Sequence, residues 1–341
     1  MKNFITGFEL SPSEIKQIIS QGILLKKSSP QKILSDPKIM TALFANPSLR
    51  TRLSFESGMK KMGGSCNVMD LKSGYEWEYE FGKIMNGETA EHIKEAAQVV
   101  SRYSDIIGLR NSSLITRSSE TAAIKSNYET YKSDHVIQAF SKYATVPVIN
   151  MESNMHHPCQ GLADGMTITE IQKKQNLSKT KFVLSWVPHP KALPLATPHS
   201  QMIFPALIGC EVTLCCPPEF VLDSDVMTQT ENISGNKITI SHDQEEAFQD
   251  ADIITAKSWA SSLNFGEWEA EKKVREKYIE WTIDETKMNL TNQAKFLHCL
   301  PMRRNVIATD SVIDDPSSCI IDQAENRMWA QMALIHFLLN Q

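Results

Sequence analysis

From Ser48 to Arg52 the chain reads Ser-Leu-Arg-Thr-Arg. That spacing suits the capture of an anion. The apolar run Lys38–Phe44 has strand length. Pro47 ends it, and Ser48 then caps a helix whose apolar stripe is Phe55, Met59 and Met62, stopped by Gly63-Gly64. A helix N-terminus offers free backbone N–H groups and a partial positive charge, which together favour phosphate. Ser48, Arg50 and Thr51 would surround that mouth, with Arg52 turned elsewhere into an ion pair. Arginine suits the task because its planar fork matches phosphate oxygens. The same residues also fit an ordinary capped helix with solvated arginines, and the pentapeptide by itself leaves both open.

Two further clusters follow strand-like runs. His157-Pro158-Cys159-Gln160 reads as a short loop beyond the strand Val146–Asn150, and His298-Cys299-Leu300-Pro301-Met302-Arg303 follows Ala294–Leu297. Strand ends are where α/β sheets bind ligands. A lone histidine like His157 is usually a satisfied core residue, and a lone Cys299 a buried small hydrophobe or a thiol nucleophile.

The elements that must position these clusters alternate along the chain. Ser11-Pro12-Ser13-Glu14 is a capping box opening a helix through Ile15, Ile18 and Ile19. Strands are expected at Cys66–Leu71, Ser104–Arg110 and Val146–Asn150, with helices from Thr89 and around Val136–Phe140 between them. In the second half strands are expected at Lys181–Val187, Glu211–Cys216, Lys237–Ile240, Asp252–Ala256, Lys295–Leu297 and Cys319–Ile321. A helix Gly161–Gln175 bridges the halves, and a last helix runs Glu325–Leu339. The stretches 72–82 and 111–120 read as loops. Such alternation predicts an α/β fold of two doubly wound parallel-sheet domains.

The composition agrees. A chain of 341 residues suits two domains. Its net charge of −5 gives no general pull toward nucleic acid or anionic membrane, so anion binding must be local. Seven cysteines without a Cys-x-x-Cys pair argue against a disulfide framework or zinc site and suit a reducing, cytoplasmic setting. The N-terminus shows no signal-peptide pattern, and no apolar run reaches membrane-spanning length. No Gly-x-Gly-x-x-Gly follows an early strand, which disfavours a dinucleotide-binding dehydrogenase.

Ser-x-Arg-Thr-Arg, His-Pro-x-Gln and His-Cys-Leu-Pro, in this order across nearly the whole chain, resemble the aspartate/ornithine carbamoyltransferases. The last motif resembles the ornithine branch. The resemblance implies an active site in the cleft between a carbamoyl-phosphate domain (1–150, joined by the C-terminal helix 325–341) and an amine-substrate domain (151–324). It implies no cofactor and no metal. An amine attacks the carbamoyl carbon and phosphate leaves, driven by positioning and electrostatics. Ser48, Leu49, Arg50, Thr51 and Arg110 then hold phosphate. His157, Arg303 and Thr51 donate to the carbamoyl oxygen, while Gln160 and the backbone carbonyls near Cys299 and Leu300 hold its nitrogen. Arg327 matches another arginine near this group; its alternative is a surface ion pair. Cys299 has no covalent step to perform. The resemblance also implies a homotrimer in which a loop reaches the neighbouring site with an aromatic residue, here Trp77 or Tyr75; Trp77 is taken by residue type, the alternative being that both pack the loop.

Ala256-Lys257-Ser258-Trp259-Ala260 and Trp186-Val187-Pro188-His189-Pro190-Lys191 are similar to the N-acetylornithine and N-succinylornithine carbamoyltransferases, which serve arginine biosynthesis. The implied acylornithine contacts are Glu152, Lys257 and Leu300, with Glu152 alternatively a partner of an arginine. Acetyl enzymes carry Glu where this chain has Ala90 and lysine where it has Ile307. Succinyl enzymes carry Pro and an apolar residue. Removing a carboxylate from a pocket favours an anionic substrate, so N-succinylornithine is expected ahead of N-acetylornithine. A free-ornithine enzyme and a non-catalytic carbamoyl-phosphate binder are the alternatives.

Overall fold

The computed structural model of the protein describes residues 2–28, 32–71, 77–112, 128–174 and 176–341; Tyr75, Gln175 and residues 113–120 of the Ser/Thr-rich stretch lie outside these. Eleven strands are present among the described residues: β1 Ile39–Phe44, β2 Ser65–Asp70, β3 Trp77–Glu78, β4 Glu91–His92, β5 Ile106–Arg110, β6 Val148–Glu152, β7 Lys181–Trp186, β8 Glu211–Cys215, β9 Thr239–Ser241, β10 Ile253–Lys257 and β11 Lys295–Leu297. They form two parallel sheets, ordered β2-β1-β5-β6 and β11-β10-β7-β8-β9, plus the small pair β3-β4. Strands β1, β7 and β10 are buried along nearly their whole length, which explains why they read as continuous apolar runs.

Strand order decides where a ligand can sit. The first sheet reverses direction between β1 and β5, and the second between β7 and β10. At such a switch point the loops diverge to opposite faces and leave a crevice at the carboxyl ends. Phe44 lies beside Arg110 at one switch point, and Trp186 beside Lys257 at the other. The three motif clusters leave from β1, β6 and β11, all at carboxyl ends.

The domains share a core. Helices Pro12–Ser28, Pro158–Gln172, Ala196–Ile208 and Ile320–Leu339 contribute to one hydrophobic cluster that includes residues of both sheets. All 13 residues of Ala196–Ile208 are buried, as expected of a helix that is apolar all round. A Cβ on Gly161 would lie 2.2 Å from the Phe204 ring, so glycine permits this close crossing of helices. The C-terminal helix packs against the first helix, the Leu49–Met62 helix and the bridging helix.

Several elements differ from expectation. His157-Pro158-Cys159-Gln160 is not a loop: the bridging helix begins at Pro158, with His157 as its N-cap residue. Pro at the first helical position needs no N–H there. Cys319–Ile321 is not a strand, because the C-terminal helix begins at Ile320 rather than Glu325. Packing of that helix on three others overrides the β-preference of Ile-Ile. The helix expected from Thr89 starts at Ile93, where the His92 ring accepts the Lys94 N–H at 3.1 Å.

Candidate active site

Ser48 caps the helix Leu49–Met62, and Gly63, at φ +90°, ends it in the left-handed conformation that glycine tolerates. Ser48 Oγ accepts the Thr51 N–H at 3.3 Å and donates to Thr51 Oγ1 at 2.9 Å. Arg327 Nη2 also donates to Thr51 Oγ1, at 2.9 Å. With both lone pairs occupied, the Thr51 hydroxyl proton is left to face a ligand. Arg327 Nη1 donates to Gln160 Oε1 at 3.0 Å. Arg327 is therefore no surface residue. It lies well inside the C-terminal helix, 3 % exposed, and burial lowers its pKa.

Arg110 ends β5. Between Leu109 and Arg110 the β5–β6 register slips, so that Arg110 faces Glu152. A bulge of this kind re-aims a side chain next to a site. Arg110 Nη1 pairs with the Glu152 carboxylate, and its buried Nε has no partner among the described residues. Glu152 thus occupies the place of an arginine partner, the alternative its sequence context had left open.

His157 records the charge around it. Its backbone N–H donates to Ser200 Oγ at 2.8 Å, its Nδ1 has no partner among the described residues, and its Nε2 lies 3.9 Å from Glu152. Burial drives its pKa well below the usual histidine range, and Arg327, Arg110, Arg50 and Lys257 push it further. A neutral imidazole with four cations around it marks a place built for an anion. Arg50 is half-buried, and burial lowers its pKa too.

The third cluster is a turn. His298 N–H donates to Gln323 Oε1 at 2.9 Å, and Leu300 N–H donates to His298 Nδ1 at 2.9 Å. Leu300 has φ +56°, uncommon for a branched residue, and precedes a cis bond to Pro301. Cys299 has its thiol pKa raised by burial, which keeps it protonated and unsuited to nucleophilic attack. Arg303 is exposed; its Nε donates to His189 Nε2 at 3.1 Å. Burial holds His189 at a pKa of about 4, so it is the neutral acceptor this contact needs. Lys257, at the end of β10, acts electrostatically on His157, His189, His298 and Cys299.

Three expected residues sit apart. Trp77 is 6 % exposed and packs against Phe140 with ring centroids 5.5 Å apart and planes tilted by 33°, in a core with Leu43, Leu71 and Ile93. Within this chain it packs its own domain, the alternative that the sequence had left open; Tyr75 lies outside the described residues. Ile307 is 2 % exposed, in a core with Ile283, Phe296 and Val312, because the chain after Arg304 folds back under the second sheet. Ala90 is exposed on the segment between β3 and β4, where Phe81, Ile84 and Met85 also face outward.

The sequence reading missed Ser200, Gln323 and Asp164. Only Asp164 carried a signal, since it lies four residues after Gln160 and so on the same helix face. Among the described residues no group of three or more His, Cys, Asp or Glu side chains could hold a metal ion, and no helix is long and apolar enough to cross a membrane.

Two parallel-sheet domains whose switch points bring Arg50, Arg110, Arg327 and Lys257 around one buried histidine define a two-domain α/β protein with a cationic crevice at its strand ends. The profile of the aspartate/ornithine carbamoyltransferase carbamoyl-P binding domain matches residues 2–170, and that of the Asp/Orn binding domain matches 196–338. The chain belongs to the aspartate/ornithine carbamoyltransferase family. It is 39 % identical to the N-acetylornithine carbamoyltransferase of Xanthomonas axonopodis pv. citri (strain 306), covering 100 % of this chain and 97 % of that one. It is 33 % identical to the N-succinylornithine carbamoyltransferase of Bacteroides fragilis (strain 638R), over 96 % and 95 %. Among solved structures it resembles an N-acetyl-L-ornithine transcarbamylase with one glutamate replaced by alanine, complexed with carbamyl phosphate and N-succinyl-L-norvaline (TM-score 0.91, 38 % identity, 99 % and 100 % covered).

Proposed function

We propose that this enzyme transfers the carbamoyl group of carbamoyl phosphate to the side-chain amine of an N-acylated L-ornithine, with N-succinylornithine ahead of N-acetylornithine, giving an N-acylcitrulline and phosphate. The observation that carries the reading is the convergence of Arg50, Arg110, Arg327 and Lys257 on neutral His157. Arg50, Arg110 and the Ser48–Thr51 helix mouth hold the phosphate. The Thr51 hydroxyl and His157 donate to the carbamoyl oxygen as charge grows there. Gln160 and the carbonyls of Cys299 and Leu300 accept from the carbamoyl nitrogen. Arg303 joins the carbamoyl oxygen only when the 298–303 turn closes over ligand and releases His189. Lys257 receives the negative end of the acylated substrate.

Ala90 supports the succinyl preference. A related transcarbamylase holding N-succinyl-L-norvaline has alanine in place of one glutamate. Overall identity points the other way, at 39 % to the acetyl enzyme and 33 % to the succinyl enzyme. Identity is averaged over the chain, whereas specificity rests on the few groups facing the acyl chain. The exposed segment around Ala90 serves a neighbouring subunit's site in a cytoplasmic homotrimer. The test is citrulline-product formation from carbamoyl phosphate with ornithine, N-acetylornithine and N-succinylornithine in parallel. Preference for the acetyl compound keeps the chemistry and removes Ala90 as the determinant. Turnover of free ornithine alone overturns the acylated substrate, and no turnover of any overturns catalysis.

A further inference from the structure

The carbamoyl-facing glutamine is held from behind. Gln160 Nε2 donates to Asp164 Oδ1 at 2.7 Å, and Gln323 Nε2 donates to the same oxygen at 2.6 Å. Gln160 is 2 % exposed, Asp164 1 % and Gln323 0 %. On their other sides, Gln160 Oε1 accepts from Arg327 and Gln323 Oε1 accepts the His298 N–H. One carboxylate oxygen therefore anchors both the glutamine at the carbamoyl group and the turn that carries the Cys299 and Leu300 carbonyls.

We propose that Asp164 is a positioning residue that fixes which way the Gln160 and Gln323 carboxamides face, and so makes the site select a carbamoyl over an acetyl group. The inference rests on the carbamoyl-phosphate reading. An ionised carboxylate only accepts hydrogen bonds. Each glutamine must present its NH2 to Asp164 and turn its carbonyl outward, Gln160 toward the ligand and Gln323 toward the turn. Burial raises the Asp164 pKa to about 6 while the Gln323, Gln160 and Gln201 carboxamides draw it down, so it is ionised at pH 8. An outward Gln160 carbonyl accepts an N–H from a carbamoyl NH2. Acetyl phosphate offers a methyl there, so the carbonyl keeps Arg327 on one lone pair and loses the donor to the other, which discriminates more strongly than shape alone.

The experiment compares Asp164→Leu, Asp164→Ser and Asp164→Asn with the native enzyme at pH 8. It reads KM and kcat for carbamoyl phosphate, the inhibition constant of acetyl phosphate, and thermal melting. Asp164→Leu removes the acceptor, and the Ser hydroxyl is too short to reach both amides, so the set survives if the Leu variant does not fold. Both should raise KM for carbamoyl phosphate about tenfold, with a smaller change in kcat and little change for acetyl phosphate. Asp164→Asn keeps an oxygen acceptor at the shared point and should stay within about threefold of native. An unchanged ratio of acetyl-phosphate inhibition constant to carbamoyl-phosphate KM in a folded Leu or Ser variant overturns the proposal. So does an Asn variant as damaged as the Leu variant. A native enzyme that neither binds nor turns over carbamoyl phosphate defeats the underlying reading, and this inference with it, before any variant is compared.

Discussion

On the proposed phosphate side of the site Thr51, His157, Gln160 and Arg327 are each no more than 5 % exposed and are tied together by bonds that join four different helices. Across from them Arg303 is exposed and bonded to His189, while Leu300 sits on a turn held through Gln323. The first side is buried and cross-linked by hydrogen bonds; the second is more exposed, and in the proposed function it closes by movement of its turn. A buried guanidinium costs free energy until an anion pairs with it, so rigidity there would serve the phosphate capture proposed above. A movable amine side lets the second substrate enter before the site closes.

The largest effect expected is on the rigid side. Arg50→Ala removes one charged grip from a half-buried position and leaves the fold intact. It should lower kcat/KM for carbamoyl phosphate roughly a thousandfold, with an unchanged melting temperature. Titration calorimetry with carbamoyl phosphate and steady-state product formation measure this. Unchanged binding would remove the helix mouth from the site and end the comparison between the two sides.

Acid should separate the sides next. His156 is held at about 3 and His199 at about 4 by burial, and His157 and His298 also lie well below their ordinary range. In the unfolded chain each takes a proton near pH 6.5. The unfolded state thus binds more protons below that pH, and stability falls as pH drops from 6.5 toward 4, by about 1.4 kcal/mol per unit for each fully buried histidine. Asp164 acts in the opposite sense: its folded pKa of about 6 lies above the unfolded value, so acidification relieves one buried charge. Four histidines outweigh one carboxyl. The melting temperature should drop steeply between pH 6.5 and 4.5. A flat profile in that range contradicts the cation-crowded environment assigned to His157.

How far the sequence carries follows from the same contrast. Ser48–Thr51, His157–Gln160 and His298–Arg303 are contiguous pieces at strand ends, so local spacing exposes them, and the two-sheet alternation follows from apolar runs. Arg327 and Gln323 reach the site from a helix whose start lies five residues before the last-helix start inferred from local pattern, at Ile320 instead of Glu325. Their roles depend on how that helix packs, which no local period encodes. Ser200 comes from a helix that is buried on every face and so shows no stripe. Trp77 shows the converse: residue type alone does not tell a projecting aromatic from one that packs against Phe140 in its own domain.

The amine side offers the finer tests. Ala90→Glu should lower kcat/KM for N-succinylornithine about tenfold and leave N-acetylornithine nearly unchanged, because the added carboxylate repels only the longer, charged acyl group. Steady-state kinetics with both substrates at saturating carbamoyl phosphate measure it. Equal losses for the two would mean that Ala90 acts through folding or assembly rather than through the acyl group.

Ile307 gives the smallest effect and the sharpest contrast with Ala90. Both positions distinguish acetyl from succinyl enzymes in the sequence reading, yet Ala90 is exposed and Ile307 is enclosed by Ile283, Phe296 and Val312. A side chain sealed in a core influences substrate only by shifting its neighbours. Ile307→Val deletes one methylene there and should cost about 1 kcal/mol of stability. The ratio of succinyl to acetyl turnover should stay within about twofold of native, because no substrate-facing group changes. Denaturant melts and parallel turnover of the two acylornithines decide it. A changed ratio without a stability cost would place Ile307 on the pocket wall, and the amine side would then have to open further than the closing of one turn allows.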